Sequence, residues 1–133
     1  MFIGLLNKDQ QEALCSIIQY VAAIDGENDV REEMLVSALL AESNLDNVPA
    51  VAADQDAVEA LLGRFDTPVA RHALLLEIMG VALADDILHE TEIKAILAVA
   101  DALKVDRSWI ERARDYVQRA IDTQHEGHDL LRG

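Results

Sequence analysis

Apolar residues recur three and four positions apart along almost the whole chain, and this spacing constrains the fold more than any other feature of the sequence. Side chains at that spacing lie on one face of an α-helix, where they can pack together. The chain has only 2 prolines to interrupt the pattern. The sequence therefore predicts an all-α fold, a single-domain helical bundle.

We predict about six helices, and capping signals mark where several of them begin. Asn7 and Gln10 have the spacing of a capping box. Thr67 is a candidate N-cap, and Pro68 follows it at the first helical position, where a missing N–H costs nothing. The predicted helices run from Asn7 to near Ile24, from Asp29 to near Asn44, from Asp54 or Asp56 through Leu62, from Pro68 to about Ala84, from Glu90 to Leu103 and from Arg107 to about Asp122.

An internal repeat is visible when the chain is shifted by 60 residues against itself. Both copies read as a helix, a short acidic loop and a second helix. We predict two three-helix halves, residues 1 to about 65 and about 66 to 124, packed into one domain (1–124) and followed by a flexible tail (125–133). The identical pairs are Val21 and Val81, Ala22 and Ala82, Asp25 and Asp85, Glu32 and Glu92, Ala38 and Ala98, and Asp46 and Asp106.

The chain is strongly acidic, with 25 acids against 11 lysines and arginines and a formal net charge of -14. Nucleic-acid binding needs clustered basic residues that replace condensed counterions, and residues 1–63 carry only Lys8 and Arg31. Anionic lipid surfaces are disfavoured for the same reason. The longest uncharged stretch, Ala13 to Ile24, is shorter than the roughly 20 residues that span a bilayer. We therefore expect no nucleic-acid partner and no direct membrane insertion.

Cys15 is the only cysteine, so no disulfide can form within the chain. A lone thiol fits a reducing, cytoplasmic environment. Cys15 lies beside Leu14 and Ile18 on the first predicted helix, and we interpret it as a buried, unreactive thiol. No arrangement of residues is typical of a catalytic site, so we expect no enzymatic activity.

Two acidic loops between predicted helices are the candidate functional sites. In each loop an aspartate at the end of one helix, Asp25 or Asp85, is followed seven residues later by a glutamate in the next helix. Because the chain reverses direction between them, the two carboxylates can approach each other. Hard cations such as Mg2+ and Ca2+ bind carboxylate oxygens, so we expect a weak divalent-cation site for these ions rather than for Zn2+. The candidate ligands are Asp25, Glu27, Asp29, Glu32, Asp85, Asp86 and Glu92.

The same carboxylates also have a purely structural interpretation. The first loop is no EF-hand, because Val30 stands where that motif needs glycine and Val36 stands where it needs glutamate. Asp29 and Glu32 have the spacing of a capping box, and the helix dipole favours acids in a first helical turn. Under this alternative the loops are only helix caps and the protein is an interaction adaptor.

Basic residues gather on and just before the sixth predicted helix. One interpretation is a bipolar surface, in which the acidic half meets cations or a basic partner and this helix meets an acidic partner. The alternative is a solvated face on which Arg107 and Glu111 have the spacing of an i,i+4 ion pair. The basic residues are Lys104, Arg107, Arg112, Arg114 and Arg119.

Three stretches around the acidic loops match one family pattern: Val21 to Gly26 continuing to Glu32, Val81 to Asp86 continuing to Glu92, and Ala102 to Val105. Through these stretches the chain resembles the TerB-like family of tellurite-resistance proteins, which is related to a helical domain of some DnaJ-like co-chaperones. With the intervening helices, the resemblance covers nearly the whole chain. Asp86 stands where the family usually has a glycine.

The resemblance implies an all-helical fold with an internal two-fold repeat. It also implies a non-enzymatic, cytoplasmic role in the tellurite, metal or general stress response of bacteria. Asp25, Gly26 and Glu32 match the first motif, and Asp85 and Glu92 match the second, so the resemblance implies a divalent-cation site at the acidic loops. Its implied partners are other proteins, including a membrane-associated complex. We expect the chain itself to be a monomer or a weak homodimer.

Overall fold

Every regular element in the described part of the chain is helical, which confirms the predicted all-α fold. The computed structural model describes residues 2–23, 37, 38, 40–43, 45, 52–83 and 90–133. The elements are a 3-10 helix, Ile3–Leu5, and five α-helices: α1 Lys8–Ala23, α2 Gln55–Leu62, α3 Pro68–Ala82, α4 Glu90–Ala102 and α5 Arg107–Arg132.

Five of the six predicted helices correspond to α1 through α5. The other one, predicted from Asp29 to near Asn44, is helical at residues 37, 38 and 40–42. Its first half lies outside the described residues, as do the two acidic loops that anchor the proposed repeat. The internal repeat is therefore not confirmed.

Two predicted N-terminal caps, at Asn7 and Thr67, are confirmed by hydrogen bonds, whereas the predicted Asp29 cap lies outside the described residues. The Asn7 side chain accepts from the backbone N–H of Gln10 at 2.8 Å, and the Gln10 side chain accepts from the backbone N–H of Asn7 at 3.0 Å. This reciprocal pair is a capping box at the start of α1. Thr67 accepts from the backbone N–H of Ala70 at 3.1 Å, and Asp54 caps α2 in the same way. Short polar side chains thus fix where these helices begin.

α3 lies at the centre of the bundle, where it packs against the 3-10 helix, α1, α4 and α5. Nine of its 15 residues are buried. Leu74, Leu75 and Ile78 are 0% exposed, as expected for a helix with neighbours on most of its faces. α2 packs on both α1 and α4. The buried apolar side chains of the described residues form one cluster.

Two buried glutamines hold the N-terminal segment and the α2–α3 connection against α1. The side-chain amide of Gln11 donates to the carbonyl oxygens of Ile3 and Leu6, at 3.2 and 3.1 Å. The amide of Gln10 donates to the carbonyl of Arg64 at 3.0 Å. The carbonyls of Leu6 and Arg64 lie outside the helices, whereas the Ile3 carbonyl also accepts from the N–H of Leu6 in the 3-10 helix.

α4 ends in a tight turn that leads directly into α5. Lys104 has a φ of 60°, in the left-handed region. The N–H of Lys104 donates to the carbonyl of Asp101 at 3.1 Å, and the N–H of Val105 donates to the carbonyl of Ala100 at 2.9 Å. These two bonds form a Schellman motif, which satisfies the last carbonyl groups of α4.

α5 continues to Arg132, so its predicted end near Asp122 is wrong. Residues 122–132, called the α5 end below, are all exposed. Gly127 lies inside this helix, because a glycine there costs only about 1 kcal/mol relative to alanine and the preceding turns propagate through it. The flexibility predicted for residues 125–133 stays a prediction. Among the described residues, no helix is long and apolar enough to cross a membrane.

Candidate functional site

Glu92 is the one predicted cation ligand that lies within the described residues. It stands in the first turn of α4 and is 1% exposed. Its burial was not predicted from the sequence. The remaining candidate ligands, outside the described residues, are Asp25, Glu27, Asp29, Glu32, Asp85 and Asp86.

The two acids of the first turn of α4 have opposite environments. Glu90 is exposed and forms an i,i+4 ion pair with Lys94 at 3.4 Å, whereas Glu92 faces the interior. The dipole of α4 favours negative charge at both positions. Removing an ionised carboxylate from water costs free energy unless hydrogen bonds or a cation compensate it. This cost applies to the buried Glu92 and not to the exposed Glu90. Glu90 fits the role of a surface acid, and Glu92 does not.

A carboxylate at this position can contribute one oxygen ligand to a hard cation. Within residues 2–23, 37–45 and 52–83 and from residue 90 onward, as far as they are described, no group of three or more histidine, cysteine or acidic side chains is arranged to hold a metal ion. The part of the chain that the structure describes thus provides one ligand of the predicted set and not a complete site.

An apolar groove lies between the end of α3, the first half of α4 and the first half of α5. It opens to solvent on one side and has a volume of about 240 Å3. Small-molecule pockets usually enclose roughly 300–1,000 Å3, so this groove suits a few side chains better than an enclosed ligand. Its apolar lining is formed by Met79, Leu83, Ile93, Ile96, Leu97 and Ile110.

Charged side chains of α5 form the rim of this groove. Arg107, Glu111 and Arg114 line it together with Ile110, and their spacing places all four on one face of the helix. Arg107 contacts Asp101 at 3.2 Å, and both side chains are more than half exposed. Arg114 is exposed at the edge of the groove. The groove can therefore bind the apolar side chains of a ligand, with a carboxylate of the same ligand at the arginine rim.

The arginines of this helix were predictable from the sequence, but the groove was not. Its walls come from three helices, and the sequence of any one helix does not give the angles between them. The one sequence signal is the spacing of Arg107, Ile110 and Arg114, which sets two guanidinium groups beside an apolar residue.

Cys15 is buried, as predicted, at 1% exposure. Desolvation by burial raises the pKa of its thiol from 9.0 to about 11. At neutral pH the thiol is therefore protonated, and the protonated form is a poor nucleophile and a poor metal ligand. Cys15 is part of the core and not of a reactive site.

Comparisons with known proteins return no relatives: no protein family, no curated protein and no solved structure matches this chain. The fold defines the chain as an all-α helical bundle. The TerB-like resemblance stays a prediction that rests on the motifs around the acidic loops.

Proposed function

We propose that this chain is a non-enzymatic, TerB-like helical module that binds a divalent cation weakly and acts in the tellurite, metal or general stress response. The cation is Mg2+ or Ca2+ rather than Zn2+, because the proposed ligands are carboxylates. The module works in the cytoplasm with other proteins, including a membrane-associated complex. The observation that supports the proposal is the burial of Glu92 at the start of α4.

Glu92 is 1% exposed, and a carboxylate that is ionised at such a site attracts a cation more strongly than one at the surface. The attraction between a carboxylate and a cation grows as the local dielectric constant falls, because less water screens the two charges. Asp85 and Asp86, two more candidate ligands, precede Glu92 by seven and six residues in the sequence. A buried carboxylate beside a run of acids is the donor chemistry that Mg2+ and Ca2+ select.

The second candidate function is an interaction adaptor whose acidic loops serve only as helix caps. The apolar groove beside α5 favours it, because an open apolar groove with charged residues at its rim is a common docking site for helical segments. This function requires no cation.

Calorimetric titration of chelator-treated protein with Mg2+, Ca2+, Mn2+ and Zn2+, alongside thermal melts, tests the first function. We expect saturable heats and a raised melting temperature with Mg2+ or Ca2+, since a ligand that binds only the folded state stabilises it. Glu92→Gln, which keeps the shape and removes the charge, should weaken binding. Its matched control is Glu90→Gln, in the same helical turn but on the exposed side, which should leave binding unchanged.

The combined variant Asp25→Asn and Asp85→Asn tests the loop ligands directly. Loss of the saturable response in this variant supports the assignment. Wild-type protein that shows no heat and no thermal shift with any of the four ions would contradict cation binding and leave the adaptor function.

A further inference from the structure

The α5 end carries the most exposed large apolar side chains of the described residues. Leu130 is 76% exposed and Leu131 is 85% exposed. Every residue of the α5 end is exposed. Single exposed apolar residues are common on protein surfaces, but two adjacent leucines on a projecting helix form a small apolar surface that another chain can cover.

The apolar groove and the α5 end are complementary in charge. Arg107 and Arg114 stand at the rim of the groove with Glu111 between them, and Arg107 also pairs with Asp101, which leaves Arg114 as the arginine that can face a partner's carboxylate. The α5 end carries Glu126 one helical turn before Leu130, so the carboxylate and the leucine lie on the same face. A leucine in the groove would bring this carboxylate toward the arginine rim, and guanidinium groups bind carboxylates strongly and with defined geometry.

The groove and the α5 end of one chain cannot meet. Ile110, in the groove, and Leu130 belong to one continuous helix. Twenty residues separate them, which corresponds to about 30 Å along the helix axis. The end could reach its own groove only if α5 broke and folded back. A second copy of the chain presents the same end without that rearrangement.

We propose that the α5 end docks in the apolar groove of a second copy of this chain. Leu130 and Leu131 supply the apolar contact, and Glu126 faces Arg114 at the rim. In a two-fold dimer each copy contributes one α5 end and one groove, so both contacts form at once and the assembly is closed. This interaction is independent of cation binding at the acidic loops.

Sedimentation velocity from micromolar to millimolar concentration tests the dimer. The wild-type mass should rise from that of one chain, 14.6 kDa, toward that of two. The double variant Leu130→Ser and Leu131→Ser should stay at the mass of one chain. Its matched control, Leu5→Ser and Val69→Ser, removes two other exposed apolar residues and should dimerise like wild type. A wild-type chain that is monomeric throughout, or a leucine variant that still dimerises, would overturn the proposal.

Variants of the groove distinguish this contact from pairing between two α5 ends. Ile93→Gln and Leu97→Gln together make the α4 wall polar at two half-buried positions. Arg114→Glu changes only an exposed rim residue, and it should raise the dissociation constant about tenfold. Adding Glu126→Arg to Arg114→Glu restores opposite charges and should recover most of the affinity.

A mixing experiment then identifies the docking partners. The leucine variant keeps an intact groove, and the α4 variant keeps an intact α5 end, so each is monomeric alone while an equimolar mixture should form a heterodimer through one restored contact. Far-UV circular dichroism confirms that each variant is folded. Groove variants that dimerise as tightly as wild type would show that the α5 ends pair with each other, which overturns the proposal.

Discussion

α3 is surrounded by other elements on most of its faces, whereas every residue of the α5 end is exposed. Both segments are helical, but for different physical reasons. An isolated helix shorter than roughly 12–15 residues is marginal in water, because the first turn is costly to form. The α5 end avoids this cost because it continues a helix whose first half is already fixed to the core through Ile110, Ala113 and Val117.

The comparison separates two sources of helix stability. Unfolding α3 would expose the centre of the core, so its stability is that of the whole fold. Unfolding the α5 end would break its own backbone hydrogen bonds and surface pairs such as Arg132 with Asp129 at 4.0 Å, and its side chains are already exposed in the folded chain. The free energies that hold these two helical segments should therefore respond independently to mutation.

Removing the same side-chain atoms from the two segments should give the largest contrast. Leu75→Ala in α3 should lower the free energy of unfolding by about 2–5 kcal/mol, because Leu75 is 0% exposed and its loss leaves a cavity. Leu130→Ala should change it by less than about 0.5 kcal/mol. Urea unfolding of dilute protein, followed by circular dichroism, measures both. Equal losses would contradict the proposed independence.

High pH should weaken the core through Cys15. Burial raises the pKa of this thiol to about 11, whereas the unfolded chain ionises it near 9.0. Between these pH values the unfolded state loses the proton more readily, so the free energy of unfolding should fall by about 2–3 kcal/mol as pH rises from 9 to 11. Cys15→Ala is the reference, because it lacks the thiol titration. Parallel pH profiles for the two proteins would contradict the assignment.

Removing the cap of α3 should have an intermediate effect. Thr67→Ala deletes the hydroxyl that accepts from Ala70 and should lower the free energy of unfolding by about 1 kcal/mol. Arg132→Ala deletes the ion pair with Asp129 at the α5 end and should have no measurable effect, because both side chains are exposed. Urea denaturation of both variants measures these changes, provided that the free energy of unfolding depends on urea concentration with the same slope as in the wild type.

Gly127→Ala should have the smallest effect on the fold as a whole. A Cβ added at Gly127 meets no atom within 4 Å, so alanine fits. The change should stabilise the α5 end by about 0.5–1 kcal/mol, because glycine loses more backbone entropy in a helix. Hydrogen exchange should slow a few-fold in residues 122–132 and stay unchanged in α3. A shift of the global unfolding midpoint would show that the α5 end is coupled to the core.

The helices with strong local signals were predictable from the sequence, and their boundaries were predictable where a cap was present. The capping box of Asn7 with Gln10 and the Thr67 cap both require only residues three positions apart. The end of α5 was not predictable in this way, because it depends on how far a helix fixed elsewhere can propagate. The burial of Gln11 was missed for a related reason: its partners are carbonyls of a segment that packs there only in the folded chain.

The candidate sites were predicted only in part. The acids were found as a pattern in the sequence, whereas the burial of Glu92 was missed. A signal for it was present, because helical spacing places Glu92 on the same face as the buried Ile96, Val99 and Leu103. Glu90 lies off that face and pairs with Lys94 in solvent. The apolar groove exists only through the relative placement of α3, α4 and α5, so its arginine rim was the one part that the sequence indicated.

The turn between α4 and α5 has a consequence for how fast the groove can bind. Lys104 and Val105 hold this corner with two backbone hydrogen bonds, and the corner joins two of the walls of the groove. The corner between these two walls is therefore formed by folding, before a partner arrives. An arriving helix loses its translational and rotational freedom and orders its interface side chains, but it does not have to form this corner. Association should therefore proceed at roughly 10⁵–10⁷ per molar per second, limited by the orientation of the encounter and not by a rearrangement of the site.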